Sequence, residues 1–420
     1  MHSLHRALGA GLAALALTAG ATACSTSTAS SGGSSGGSAA AGGTYTIWDP
    51  YPQLDSGSAW VQLLDKCGSA AGVSVKRTAY DTTSLTSKEL LAAQQGVSPD
   101  VLIVDNPVVS TLASAGVLTT TAQTHVDTSA VESNILAAGQ INGSTYGIPI
   151  GANTLALYYN KNILKAAGVD PSTITNWATL TAALAKVKGI GKTGITFSAI
   201  GTEEGSFQFE PWFWGSGANL KSLSSTQAVA ALSLWTSWIK AGYAPNSVLN
   251  DTQPDNWNEF AAGNTAFSEN GTWELASAEK GTFPYGIIDI PAENGGNAPT
   301  PTGGEFVTVP VQSNTSRYAT TEKLVACLTS ADNAYSTDTA LSYIGATTAV
   351  QTQQGNTTAA LKPWITAVHT AKGRTSDNLG TNYPKISQQL WTAIQSSLTG
   401  SASPQSALST AQSAAQAAIG

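Results

Sequence analysis

The sequence predicts a two-lobed α/β fold, and three observations lead there: short strand signals alternate with helical ones, one strand signal is apolar throughout, and the chain is too long for one core. About 375 residues follow an N-terminal leader and tether, more than a single hydrophobic core ordinarily organises. The run Val101-Leu102-Ile103-Val104 after Asp100 is continuous rather than alternating, which is the pattern of a strand buried on both faces.

The elements follow in chain order. A strand over 45–48 runs into Trp48-Asp49-Pro50-Tyr51; a helix over 56–71 carries Trp60, Leu63 and Leu64 on one face; a strand over 73–77 and a helix over 87–95 come next. The strand over 100–104 stops at Asp105-Asn106-Pro107, where Asp105 can cap the helix that Pro107 begins. Ligands of open α/β sheets gather at the carboxyl ends of strands, so this turn is a first candidate site. Further on, Asn176 caps a helix over 177–187 and an amphipathic helix spans 225–241. Residues 259–267 lead into Asn270-Gly271-Thr272-Trp273, Gly303-Gly304 precedes a strand over 306–309, and Ala/Ser/Gln-rich helices close the chain. Gly189-Ile-Gly-Lys-Thr-Gly194 matches Gly-x-Gly-x-x-Gly but joins a helix to a strand, the reverse of a phosphate-binding loop, and reads as a turn.

The first 43 residues have a separate logic. Arg6, an apolar run over 7–17 too short to span a bilayer, and small residues before Cys24 make residues 1–23 an export signal peptide. Residues 24–43 are a Ser/Gly/Ala tether with an rms reach of about 25 Å, which favours reading Cys24 as a lipidated anchor to the outer face of the cell membrane; the same residues also suit an ordinary cleavage site. Loss of Arg6 leaves 18 of the 19 Lys and Arg against 26 Asp and Glu, a net charge of −8. That argues against nucleic acid, whose backbone needs a basic face. Cys67 and Cys327 remain after Cys24 and form either one disulfide or two small buried thiols. His125 and His369 stand far apart with no second ligand at metal spacing, so neither a metal nor a cofactor is expected.

Residues 146–168, Tyr-Gly-Ile-Pro-Ile-Gly-Ala-Asn-Thr-Leu-Ala-Leu-Tyr-Tyr-Asn-Lys-Asn-Ile-Leu-Lys-Ala-Ala-Gly, run from a strand through Tyr159-Asn160-Lys161 into a short helix closed by Gly168. This segment resembles the hinge-crossing signature of extracytoplasmic carbohydrate-binding proteins of ABC importers, the maltose-binding-protein-like solute-binding family, and the pieces named above fall in that family's order. The resemblance implies a two-lobed periplasmic-binding-protein-like fold (type II) with discontinuous lobes: 44–152 plus 302–345, and 153–301 plus 346–420. It also implies a monomer that captures a carbohydrate ligand between hinged lobes, delivers it to ABC permease transmembrane subunits, and performs no chemistry on it.

A pyranose presents hydroxyls at its edge and C–H-rich faces, so its site needs flat aromatics beside carboxylates and amides. Loop positions with that mixture are Trp48 and Tyr51, Asp105 and Asn106, Glu210, Trp212 and Trp214 in Glu-Pro-Trp-Phe-Trp, Trp273, Gly304, and Asn382 with Tyr383. By the resemblance, Asp105 and Glu210 accept hydroxyls while Trp212 and Trp273 stack on sugar faces. Trp60, Trp177, Trp235, Trp238, Trp364 and Trp391 lie within helical patterns and read as structural. Glu210 could instead be an acid at the start of a helix, compensating its dipole. Two rival functions share these residues: a binder of another small solute such as a polyamine, and a glycoside hydrolase built on Glu203, Glu204 and Glu210.

Overall fold

Strand Val101–Asp105 shows how the chain builds its sheets. Val101 and Ile103 join one apolar cluster with Ile47, Ile148 and Val307, whereas Leu102 and Val104 join another with Val109, Leu112 and Phe306. A strand's side chains alternate between faces, so a strand covered on both sides must be apolar at every position. The computed structural model describes residues 43–420, apart from Asn378 and the side chain of Thr83. The export signal, Cys24 and the tether as far as residue 42 lie outside the described residues. Among the described residues no helix is long and apolar enough to cross a membrane.

The first sheet has five strands in the order Ser74–Ala79, Thr44–Asp49, Val101–Asp105, Glu305–Thr308, Gly147–Pro149. The first three are parallel, and Glu305–Thr308 runs antiparallel between its neighbours, which sets Glu305 directly opposite Asp105. The second sheet has four strands in the order Tyr285–Ile288, Leu155–Asn160, Thr265–Gly271, Thr193–Thr196. Helices Trp177–Gly189, Glu203–Gly215 and Thr226–Lys240 pack with the C-terminal helices Tyr383–Leu398 and Pro404–Ile419 into one large cluster against it. This is the mixed α/β architecture of type II binding proteins.

The chain passes between the two sheets along segments that lie side by side. Ala152 and Ile344 exchange both backbone hydrogen bonds at 2.7 and 2.8 Å, and Asn153 and Gly303 do the same at 3.2 and 2.9 Å. Gly304 has a φ of +108°, and a Cβ there would lie 2.6 Å from the Gly151 carbonyl oxygen. Only glycine combines that conformation with that approach. Beside these crossings the short strand Lys372–Gly373 pairs in parallel with Pro301–Thr302.

Cys67 and Cys327 are bonded, with Cα atoms 5.6 Å apart, and the bridge joins helices Ala59–Ala70 and Tyr318–Thr329 against the first sheet. Closing a loop of 260 residues restricts the unfolded chain by up to about 5 kcal/mol in the chain-entropy account. Trp60, Trp177, Trp235, Trp238 and Trp364 are buried as read from their helical spacing, and Trp391 is half-buried. The glycine-rich stretch 189–194 joins helix Trp177–Gly189 to strand Thr193–Thr196 as a turn.

Candidate functional site

Asp105 ends a first-sheet strand and accepts the Asn106 backbone N–H as the cap of helix Asn106–Ser114. Its carboxylate has a second engagement. Both Arg374 guanidinium nitrogens Nη1 and Nη2 donate to it, at 2.9 and 2.5 Å, and Nη1 also donates to Glu203 at 2.7 Å. Glu203 opens helix Glu203–Gly215 on the second-sheet side and accepts the Tyr383 hydroxyl at 2.6 Å and the Ser387 hydroxyl at 2.5 Å. One arginine therefore ties the carboxyl edge of the first sheet to a helix that covers the second. The guanidinium is 1 % exposed, while Asp105 is 13 % and Glu203 25 % exposed. Charge-assisted, bidentate bonds of this kind are the strong ones.

The cluster extends in both directions. Across the ladder from Asp105, Glu305 accepts the hydroxyl of Tyr343, which stands 3.4 Å from the hydroxyl of buried Tyr51. Burial, with Asp105 adding to it, pushes the Glu305 carboxyl up to about 7. Toward the second sheet, the Arg374 guanidinium lies 4.9 Å over the Phe207 ring, and Phe207 stands 6.5 Å from Trp273. Trp273 follows strand Thr265–Gly271 directly and is half-buried. A Cβ on Gly271 would fall 2.1 Å from its ring, so the glycine lets the indole lie against the backbone.

Helix Glu203–Gly215 explains the spacing. Glu203, Phe207, Glu210 and Trp214 are four, three and four residues apart, which places them on one stripe. Arg374 meets the first two, and Lys372 lies 5.0 Å over the Trp214 ring while pairing with Asp377 at 2.8 Å. Neither oxygen of fully buried Glu210 finds a hydrogen-bond partner among the described residues. Burial, then the neighbouring Glu203, holds its carboxyl well above the ordinary range. Glu203 itself is raised by burial and drawn back by Arg374; in Arg374 burial opposes the charge, yet Asp105, Tyr383 and Glu203 keep it well above its usual value.

The sequence expectations divide accordingly. Asp105, Glu210, Tyr383 and Trp273 come together around Arg374, directly or through one intervening side chain, and Tyr51 joins at the far end of the Tyr343–Glu305–Asp105 series. Three readings need correction. Glu210 does not open a helix: the helix begins at Glu203, so Glu203 and Glu204 hold the dipole-facing first turn and Pro211 sits in the interior. Trp212 points away from the stripe into the core, where its Nε1 donates to Glu269 at 2.8 Å and its ring meets Trp238 edge-on at 5.1 Å. It is fully buried and keeps no free face for a sugar. Trp214 is buried as well, and Lys372 occupies one face of its indole.

Other candidates have structural duties or stand apart. Asn106 donates from Nδ2 to the Thr302 carbonyl at 2.9 Å, and its backbone N–H donates to Gly304 at 3.2 Å, so both serve the crossing region. Trp48 is half-buried and meets Tyr80 edge-on at 5.2 Å near the end of its strand. Asn382 stands before helix Tyr383–Leu398 without a side-chain cap bond. Arg374, Glu203, Glu305, Phe207 and Tyr343 were not among the ligand candidates. The stripe at 203, 207, 210 and 214 is the signal that could have found two of them.

A family model described as bacterial extracellular solute-binding protein matches residues 62–367. Among curated proteins the chain is similar to the maltodextrin-binding protein MdxE of Bacillus subtilis, 26% identical over 189 residues, which cover 39% of this chain and 41% of that protein. It spans about two fifths of the length of the curated relatives it matches. Among solved structures it is similar to the GacH receptor of Streptomyces glaucescens GLA.O, described unliganded and with acarbose (TM-score 0.77, 24% identity, 89% of this chain and 97% of that one). It is also similar to an ABC transporter solute-binding protein of Thermotoga lettingae TMO bound with α-D-tagatose (TM-score 0.79, 22% identity, 90% of this chain and 100% of that one).

Proposed function

We propose, on the premise that this chain belongs to the bacterial extracellular solute-binding protein family, that it is a receptor for a neutral sugar or oligosaccharide and hands its ligand to an ABC permease. The observation that carries the reading is the chain of polar groups Tyr51, Tyr343, Glu305, Asp105, Arg374, Glu203 and Tyr383, which runs from the carboxyl edge of one sheet to the helical cover of the other. Half-buried Trp273 stands beside it as an aromatic platform. Hydroxyls require donors and acceptors in fixed places, and a pyranose face requires a flat apolar partner. Similarity to proteins described with acarbose, tagatose or maltodextrin agrees with that chemistry.

The lobes are residues 44–152 plus 302–345 and residues 153–301 plus 346–420, and the paired crossings at 152–153, 303 and 344 are the hinge. A solute enters an open form and closure adds the second lobe's contacts, so the permease distinguishes loaded from empty receptor. The chain acts outside the cytoplasm as a monomer, held to the membrane by a lipid on Cys24. No bond of the ligand is broken: Asp105 and Glu203 share one guanidinium and Glu203 and Glu210 share one helix stripe, whereas a hydrolase needs two carboxyls facing each other across the scissile bond.

A cationic solute such as a polyamine is the second reading, favoured by the part-exposed acids Asp105 and Glu203. Titration calorimetry with neutral mono- and oligosaccharides tests the first. It predicts a dissociation constant near micromolar, about −8 kcal/mol, with little dependence on salt. Binding of spermidine that weakens steeply with salt, with no response to any sugar, would contradict it.

A further inference from the structure

We infer that Arg374 sets the charge specificity of this site by being neutralised in advance, so that the receptor refuses solutes carrying a carboxylate or phosphate. The inference rests on the proposed sugar reading. A buried arginine at the meeting of two lobes would ordinarily attract an anion, because its planar fork matches carboxylate and phosphate oxygens. Here both terminal nitrogens are already engaged, by Asp105 on Nη1 and Nη2 and by Glu203 on Nη1, while Nε has no partner among the described residues but is buried out of a solute's reach. Phe207 covers its face.

What an incoming solute meets is the reverse of a cation. The guanidinium is 1 % exposed, whereas Asp105 and Glu203 keep 13 % and 25 % of their side-chain surface in solvent. Two carboxylates and one guanidinium leave a net charge of −1 with its negative part outermost. The other cation on this segment, Lys372, is paired with Asp377 and lies over Trp214. Glu210 and Glu305, both raised by burial, add no positive charge. An anionic group placed here would lose its hydration against like charge, and like-charge juxtaposition is the repulsive half of specificity. A hydroxyl can still donate to the outer carboxylate oxygens.

The test uses matched probes on the full mature chain: glucose, glucuronate and glucose 6-phosphate; galactose, galacturonate and galactose 6-phosphate; and maltotriose. Calorimetry is expected to show each anionic sugar binding at least tenfold more weakly than its neutral counterpart. The Asp105→Asn, Glu203→Gln double variant keeps both shapes, and Asn still caps a helix. It leaves the guanidinium uncompensated, so the gap should close or reverse, and the binding gained should weaken with added salt. If thermal melting shows that the double variant does not fold, each single variant should narrow the gap. Folded variants with an unchanged gap would overturn the inference. So would wild-type protein that takes an anionic sugar within tenfold of a neutral one, although the sugar reading would then stand. No response to any neutral or charged sugar would overturn that reading and the inference with it.

Discussion

Helix Glu203–Gly215 has two faces that each set aromatic rings beside an acid, and they have different fates. On one face Glu203 and Phe207 meet Arg374, and water still reaches a quarter of the Glu203 side chain. On the other, Trp212 and Phe209 pack among Trp235 and Trp238, and the carboxyl that Trp212 meets is Glu269, fully buried. Glu269 receives one indole N–H, its second oxygen has no partner among the described residues, and burial pushes it well above the ordinary range. An acid without a cation in a dry interior is held neutral, because burying the charge would cost more than keeping the proton. Glu203 is raised by burial too but drawn back by Arg374, and it keeps a quarter of its side-chain surface in water, where it can face a ligand. Glu210, on the stripe of Glu203 but fully buried, is held up as Glu269 is, so the composition Glu-Pro-Trp-Phe-Trp does not reveal a binding surface; exposure beside the arginine does.

Substitutions on the two faces should separate stability from binding. The largest expected effect is Trp212→Ala, which empties the core and should cost about 3–5 kcal/mol in denaturant unfolding. Its sugar affinity, measured on the folded fraction, should stay within about threefold of wild type, a factor worth less than 1 kcal/mol. Arg374→Gln comes next: it leaves Asp105 and Glu203 without their shared cation and should cost about 3 kcal/mol of stability. A loss below about 1 kcal/mol, the scale of an exposed pair, would show the triad to be a surface ornament. Trp273→Ala inverts the pattern of Trp212→Ala, with sugar affinity falling at least tenfold, about 1.4 kcal/mol, and melting temperature changing little because the ring is half-buried.

The most gradual effect is a pH dependence. Glu305 titrates at about 7 in the folded protein against an ordinary 4.5. A raised carboxyl favours the folded state when protonated, so its contribution is complete below about pH 4.5 and fades as pH rises through about 7. Unfolding free energy should therefore fall between pH 5 and 8, by at most about 1.4 kcal/mol per pH unit for one group. Glu89 and Glu274, also pushed by burial to about 7, add to the same fall, so Glu305→Gln should lessen that slope without abolishing it, and an identical slope in the variant would remove Glu305 from the account.

Much of the scaffold was legible in the sequence because it rests on local periodicity. The continuous run at 101–104, the cap at Asp105, the helices over 177–187 and 225–241, and the structural tryptophans all appear where residue spacing put them. The position of Trp273 at a strand-to-helix turn, beside the end of a sheet, was legible for a related reason. The centre of the site was not. Asp105, Glu203, Glu305 and Arg374 come from segments that only the sheet order and the crossings bring together. Arg374 follows a two-residue strand, where no period marks a face. Trp212 was misplaced because its helix begins seven residues before Glu210, and that shift turns the indole from the stripe into the core.

The central claim is that a neutral solute sits between two sheets and draws them together about the paired crossings. Small-angle X-ray scattering on the mature protein, without sugar and then saturated with whichever sugar calorimetry identifies, tests it most directly. The account predicts a smaller radius of gyration on saturation, and the same titration of Trp273→Ala should reach that change only at higher sugar concentration. An unchanged radius in wild-type protein that demonstrably holds its sugar would contradict it.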